Sequence, residues 1–217
     1  MTPEQASERL ASLAAKVPVI PVLVIEDAAT ARPLAEALVA GGLPLLEVTL
    51  RSASALEAIT EMTAVEGAIV GVGTLLSGED VRAARDAGAV FGVSPGATDA
   101  LLDAARAEGL ALLPGAATAS EAMRLLEHGY SLQKFFPAEV AGGVAALKAL
   151  AGPLPQIRFC PTGGIGPGNA RDYLSLANVL CVGGSWLAPR AAVTAGDWNE
   201  ITRLATEAAQ LRGGPGA

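Results

Sequence analysis

Eight short β-rich runs recur along this chain at nearly even spacing, and that recurrence constrains the fold more than any other feature. They are PVLVI from Pro21, PLLEVTL from Pro44, AIVGVGT from Ala68, AVFGVS from Ala89, LALLPG from Leu110, SLQKFF from Ser131, IRFCPTGG from Ile157 and NVLCVGG from Asn178. Successive starts lie 21 to 26 residues apart, and the gaps hold Ala/Leu/Glu/Arg-rich stretches of helical period, such as Thr30 to Ala40, Glu79 to Ala87 and Ser120 to His128. Alternating β and α units build parallel sheets through right-handed crossovers, and eight equal units predict an α/β fold of the (β/α)8 TIM-barrel type. An open doubly wound sheet is the competing arrangement, but it more often has about five or six strands and a Gly-rich turn after the first. Here the first run ends Ile25-Glu26-Asp27. Ser77, Thr98 and Thr118 are suited to cap helix starts, and Gly41, Gly88, Gly109 and Gly129 to follow helix ends.

The 217 residues suit one barrel, and no break in composition divides them, so a single domain over 1–217 is expected, with Gly213 to Ala217 as a frayed tail. Apolar residues make up 51% of the chain, enough for a core without disulfides or a metal. They come in short runs broken by Gly, Pro or charge, well under the roughly 20 residues a bilayer requires, so no membrane partner is expected. Thr2 to Lys16 carries Glu4, Glu8 and Arg9 among its alanines and leucines, an amphipathic N-terminal helix and not an export signal. Cys160 and Cys181 lie inside apolar strand-like runs, as reduced buried thiols do, and both features favour the cytoplasm. The net charge of −7, with 15 Lys and Arg scattered along the chain, argues against a nucleic-acid partner. An anionic substrate would have to be held by local dipoles and a few placed cations.

Barrel enzymes place their chemistry at the carboxyl ends of the strands. In the second run Leu45, Glu47 and Thr49 share one face, continued by Arg51, while Leu46, Val48 and Leu50 share the other. The apolar face meets the helices, which leaves a carboxylate and a guanidinium at the mouth. A structural Glu47–Arg51 ion pair is one reading of them, and a catalytic role the other. In the sixth run Lys134 shares a face with Leu132 and Phe136 and is followed by Pro137. Only about one unperturbed lysine in two thousand is neutral at pH 7, and desolvation is the usual way to make such an amine a carbonyl nucleophile. The bland alternative is a lysine that reaches the rim or pairs with Glu47 or Glu139. Thr162-Gly163-Gly164 and Gly183-Gly184-Ser185 end the seventh and eighth runs, the loops from which barrels build phosphate cradles out of backbone amides. Thr74 offers a hydroxyl after the third run, and Pro95 and Pro114 can shape a wall. His128, the single histidine, sits at a helix end, and no His/Cys/Asp spacing resembles a metal site, so neither metal nor cofactor is expected.

Six motifs in order, LEVTLR (Leu46 to Arg51), GVGT ending at Thr74, SPG from Ser94, KFFPAE from Lys134, RFCPTGGI from Arg158 and CVGGSW from Cys181, resemble the class I 2-dehydro-3-deoxy-6-phosphogluconate aldolases. The resemblance runs from about Val17 to the C-terminal helix. It implies retro-aldol cleavage of that phosphorylated 2-oxo acid to pyruvate and glyceraldehyde 3-phosphate, the cleavage step of the Entner–Doudoroff route. It also implies an imine on Lys134, proton shuttling by Glu47, and Arg51 and Thr74 at the pyruvate carboxylate. Pro95 is implied as a substrate contact, and Gly163, Gly164, Gly184 and Ser185 as the phosphate cradle; Phe136 beside the lysine and Thr162 beside the glycines join them as candidate substrate-binding residues on position alone. A homotrimer is implied in the same way.

Two positions depart from the family pattern. Gln133 stands where an aromatic residue is common, and alternation turns it toward the helix layer. Val140-Ala141-Gly142-Gly143 replaces a frequent Asn-Gly-Gly, which removes a polar side chain from that loop. Three rival functions follow from the same residues: an aldolase for unphosphorylated 4-hydroxy-2-oxoglutarate, a phosphate-binding isomerase or epimerase that forms no imine, and a non-catalytic sugar-phosphate sensor.

Overall fold

The computed structural model describes residues 1–212, so the tail predicted at 213–217 lies outside the described residues. Parallel strands alternate with helices along the chain. The strands are β1 (Val19–Leu23), β2 (Leu45–Thr49), β3 (Ile69–Gly73), β4 (Phe91–Val93), β5 (Ala111–Leu113), β6 (Gly115–Ala116), β7 (Leu132–Phe135), β8 (Arg158–Pro161) and β9 (Val182–Gly184). The helices up to β7 are α1 (Pro3–Ala14), α2 (Ala31–Ala40), α3 (Ala55–Thr63), α4 (Gly78–Asp86), α5 (Asp99–Ala107) and α6 (Ala119–Glu127). Beyond it come α7 (Gly143–Ala151), α8 (Ala170–Leu174), α9 (Arg190–Ala195) and α10 (Trp198–Ala209). None of the described helices is long and apolar enough to cross a membrane.

Six strands form one curled parallel sheet in the order β5-β4-β3-β2-β1-β9, and three form another in the order β6-β7-β8. The fifth run, predicted as one strand, is thus divided at Pro114. Proline has no N–H to give to a ladder, so pairing must break there. Before it, Leu113 accepts from Ser94 N in the first sheet, and at the break Pro114 O accepts from Lys134 N at 2.8 Å in the second. At the other edge, parallel bridges Phe159↔Val179 and Thr162↔Gly183 link β8 to the chain entering β9. The run predicted from Asn178 narrows to Val182–Gly184, and the first strand begins at Val19, two residues before the predicted start.

Local signals account for the helix boundaries. The hydroxyls of Ser77, Thr98 and Thr118 accept from the amides of Asp80, Leu101 and Glu121 at 3.2, 3.3 and 3.3 Å. Gly88, Gly109 and Gly129 follow helix ends at positive φ, where a glycine carries no Cβ penalty. In α1 a Thr2/Gln5 capping box and Pro3 at the first position start the helix. Its apolar stripe, Ala6, Leu10, Ala11 and Ala14, is buried, and Leu10 and Ala14 line a small cavity with Ile20, Leu45, Phe91, Leu113, Leu132, Cys160 and Cys181. This helix therefore closes the amino-terminal end of the strands. Phe91 fills the layer above because Gly71 on the next strand lacks a Cβ, which would overlap the ring.

Candidate functional site

Glu47 and Lys134 lie 87 residues apart in sequence and meet inside the fold, Lys134 Nζ 3.4 Å from Glu47 Oε1. Alternation along each strand puts them there. On β2 the neighbours Leu46 and Val48 pack into the core on the opposite face. On β7 the neighbours are Gln133, whose Nε2 donates to Ala122 O and Tyr130 O, and Phe135, edge-to-face with Phe159 at 6.0 Å. Gln133 thus lies in the helix layer as expected. Glu47 is 2% and Lys134 3% exposed, so the pair is shut from bulk water. Phe136 covers the amine, its ring centroid 5.1 Å from Nζ. Gly73 leaves room for the carboxylate, since a Cβ there would overlap Glu47 Oε1 and stand 2.9 Å from its Cγ.

The alternative Glu47–Arg51 ion pair is not what forms. Arg51 extends from the exposed end of β2, where its Nε donates to Thr74 Oγ1 at 3.1 Å. Thr74 holds φ +64°, a conformation costly for a β-branched residue. Glu139, the other predicted partner for Lys134, instead accepts from the Tyr173 hydroxyl. Burial, and then Glu139, push the Tyr173 phenol well above its ordinary range, so it stays a neutral donor.

The other sequence-derived positions gather at the same end of the strands. Pro95 turns its carbonyl against Gly115, leaving no space for a Cβ there. Thr162 packs on Gly183. Gly163 and Gly164 both hold positive φ, +104° and +76°, and Gly163 lies against the Phe136 ring. Gly184 ends β9 beneath the Trp186 ring. Ser185, exposed beside it, borders a cavity of about 340 Å³ that also touches Val22, Val24, Asp27 and Arg190. Cys160 and Cys181 are buried free thiols; contact with Cys160, then burial, raises Cys181, which stays protonated and inert. His128 ends α6 in the open, 3.5 Å from Asp99. Among the described residues no three His, Cys, Asp or Glu side chains converge as metal ligands would.

Residues 10–204 match the family model described as KDPG and KHG aldolase. This chain belongs to the KDPG and KHG aldolase family. A 2-dehydro-3-deoxy-phosphogluconate aldolase of Pseudoalteromonas atlantica is 55% identical over 88% of this chain and 89% of its own. Among solved structures, the Zymomonas mobilis ZM4 2-keto-3-deoxy-6-phosphogluconate aldolase with 3-phosphoglycerate superposes at TM-score 0.89. It is 51% identical, with 94% of this chain and 97% of that one covered. The Legionella pneumophila KDPG aldolase, with pyruvate captured at low pH as a covalent carbinolamine, superposes at TM-score 0.89 with 44% identity. That match covers 92% of this chain and 97% of the other.

Within the frame of this aldolase family, three residues near the site escaped the sequence reading: Gly73, Asn169 and Tyr173. Gly73 sits inside the GVGT motif, where a turn glycine and a space-making glycine look alike. Asn169 immediately precedes the short helix α8 and Tyr173 lies near its end, and only the folded loops around it give them a role.

Proposed function

We propose that this protein is a Schiff-base aldolase that cleaves 2-dehydro-3-deoxy-6-phosphogluconate to pyruvate and glyceraldehyde 3-phosphate in the Entner–Doudoroff route. The observation that carries the reading is the buried Lys134–Glu47 pair at 3.4 Å, roofed by Phe136. A proton passed from Nζ to the adjacent Oε1 at the start of the reaction frees the amine as the nucleophile. The amine attacks the C2 carbonyl of the 2-oxo acid. Glu47 returns its proton to the departing hydroxyl, so one water leaves and a protonated imine remains. That imine draws in the electrons of the C3–C4 bond once the Glu47 carboxylate takes the proton of the C4 hydroxyl, which releases the aldehyde and leaves an enamine. Protonation at C3 by the same carboxyl group and hydrolysis with one water return pyruvate and the free lysine.

The remaining positions divide between the two ends of the substrate. Arg51 and Thr74 serve the pyruvate carboxylate; Thr162, Gly163, Gly164, Gly184 and Ser185 serve the phosphate; Pro95 and Phe136 form walls. The carbinolamine on the Legionella relative and the phosphorylated three-carbon acid on the Zymomonas relative support this division. The bridges between β8 and β9, and the handover at Pro114, support a closed (β/α)8 barrel made from the two sheets. The family resemblance supports a homotrimer, which light scattering tests, and the buried free thiols and helical N-terminus support the cytoplasm. A second reading, cleavage of unphosphorylated 4-hydroxy-2-oxoglutarate, is favoured by the family description, which names both substrates. The ratio of kcat/KM for the two substrates ranks them.

Incubation with pyruvate and sodium borohydride, followed by intact-mass analysis, tests the imine. A pyruvate-derived adduct on Lys134, absent from folded Lys134→Ala, is expected, together with loss of turnover in that variant. An unlabelled, folded wild-type protein would favour the isomerase or binding-protein alternatives.

A further inference from the structure

The loop after β8 is tied down by its carbonyls. Ala138 N donates to Thr162 O at 2.9 Å, and Glu139 N to Gly163 O at 3.1 Å, both from the chain that follows Lys134. Asn169 Nδ2 donates to Gly164 O at 3.0 Å, while Asn169 Oδ1 accepts from Gly166 N at 2.8 Å. A trans peptide points its N–H opposite to its C=O. Three carbonyls held by the β7 loop and by Asn169 therefore turn the amides of Gly163, Gly164 and Ile165 away from those partners. The β7 loop is itself fastened to α8 by the Tyr173 hydroxyl on Glu139. Gly164 rests on this arrangement, because a Cβ there would stand 2.6 Å from Glu139 Cγ.

We propose that Asn169 and Tyr173, the latter acting through Glu139, are positioning residues that aim the β8-loop amides at the substrate's phosphate and so set selectivity for phosphorylated substrates. The inference rests on the phosphate reading of that loop given above. Neither side chain meets the reacting carbons; each acts by fixing a peptide plane. An anion held by backbone amides is sensitive to such planes, since the donors have no side-chain freedom with which to recover their aim.

Kinetics on the two substrates test this with Asn169→Ala, Tyr173→Phe and Glu139→Gln. Asn169→Ala and Tyr173→Phe should raise KM for the phosphorylated substrate about tenfold, as expected when hydrogen bonds to a charged group are misaimed, with kcat within about twofold. The inhibition constant for inorganic phosphate should rise in parallel. Turnover of 4-hydroxy-2-oxoglutarate and pyruvate–borohydride labelling of Lys134 should stay near wild type. Glu139→Gln keeps an acceptor for the phenol, so its KM for the phosphorylated substrate should rise less than that of Tyr173→Phe. Equal losses on both substrates, or an unchanged KM for the phosphorylated one, would overturn the assignment. Failure of the phosphate reading is separately visible, as a wild-type enzyme that neither prefers the phosphorylated substrate nor is inhibited by phosphate.

Discussion

A single methyl group added at Gly73 should disable the enzyme without replacing a reacting residue. Gly73 ends β3 beside Thr49 of β2, and its φ is not among the positive ones, so alanine suits the backbone. The new Cβ would overlap Glu47 Oε1 and stand 2.9 Å from Cγ and 3.0 Å from Cδ. Ordinary carbon contacts are about 3.5–4.0 Å, so the carboxylate must retreat by roughly 1 Å. Lys134 Nζ is 3.4 Å from Oε1 before the change, and that contact opens. Misplacement on this scale costs about 10² in rate, or about 2.7 kcal/mol of barrier, while crowding costs about 1–3 kcal/mol of stability. The assay is steady-state cleavage by Gly73→Ala, Glu47→Ala and the double variant, with melting temperatures as a check on folding. If the methyl acts only by displacing Glu47, the double variant is no slower than Glu47→Ala alone, because the two changes remove one function. A Gly73→Ala enzyme within about threefold of wild type, or losses that multiply in the double variant, would refute the reasoning.

Thr74→Gly relieves a left-handed backbone but removes the hydroxyl that holds Arg51, so KM for 2-oxo acids should rise about tenfold while the melting temperature holds or increases. A markedly lower melting temperature would count against strain at Thr74. Gly71→Ala drives a methyl into the Phe91 ring and should destabilise by about 1–3 kcal/mol, with Gly71→Ala/Phe91→Leu recovering part of the loss on chemical denaturation. Lack of recovery would mean that the methyl strains something other than Phe91. Glu121 is held below the usual carboxylate range, first by the Ala117 amide. A carboxylate lowered on folding adds stability above its unfolded value and loses it as pH falls through the folded value. Glu121→Gln should therefore melt a few degrees below wild type at neutral pH and converge with it in acid, as pH-dependent calorimetry can establish.

The alternation of short β-rich runs with helical stretches is a local property, set by periodicities of 2 and 3.6 residues, and it was legible without the fold. So were the helix starts at Ser77, Thr98 and Thr118, because a cap needs only the amide three residues on. The inward faces of β2 and β7 could also be read, since Glu47 and Lys134 alternate with residues that must be buried. Which partner each charge takes could not. Glu47 had Arg51 four residues away, yet a side chain on the exposed end of the strand cannot reach into the interior, and Lys134 can, from a strand 87 residues distant. The break at Pro114 was present in the letters but acquired meaning only when the two halves of its run paired with different sheets. Gly73, Asn169 and Tyr173 were invisible for a related reason. Their contributions are a missing Cβ, a tethered carbonyl and a fastened loop, and each exists only relative to atoms that sequence distance keeps apart and folding brings within about 3 Å.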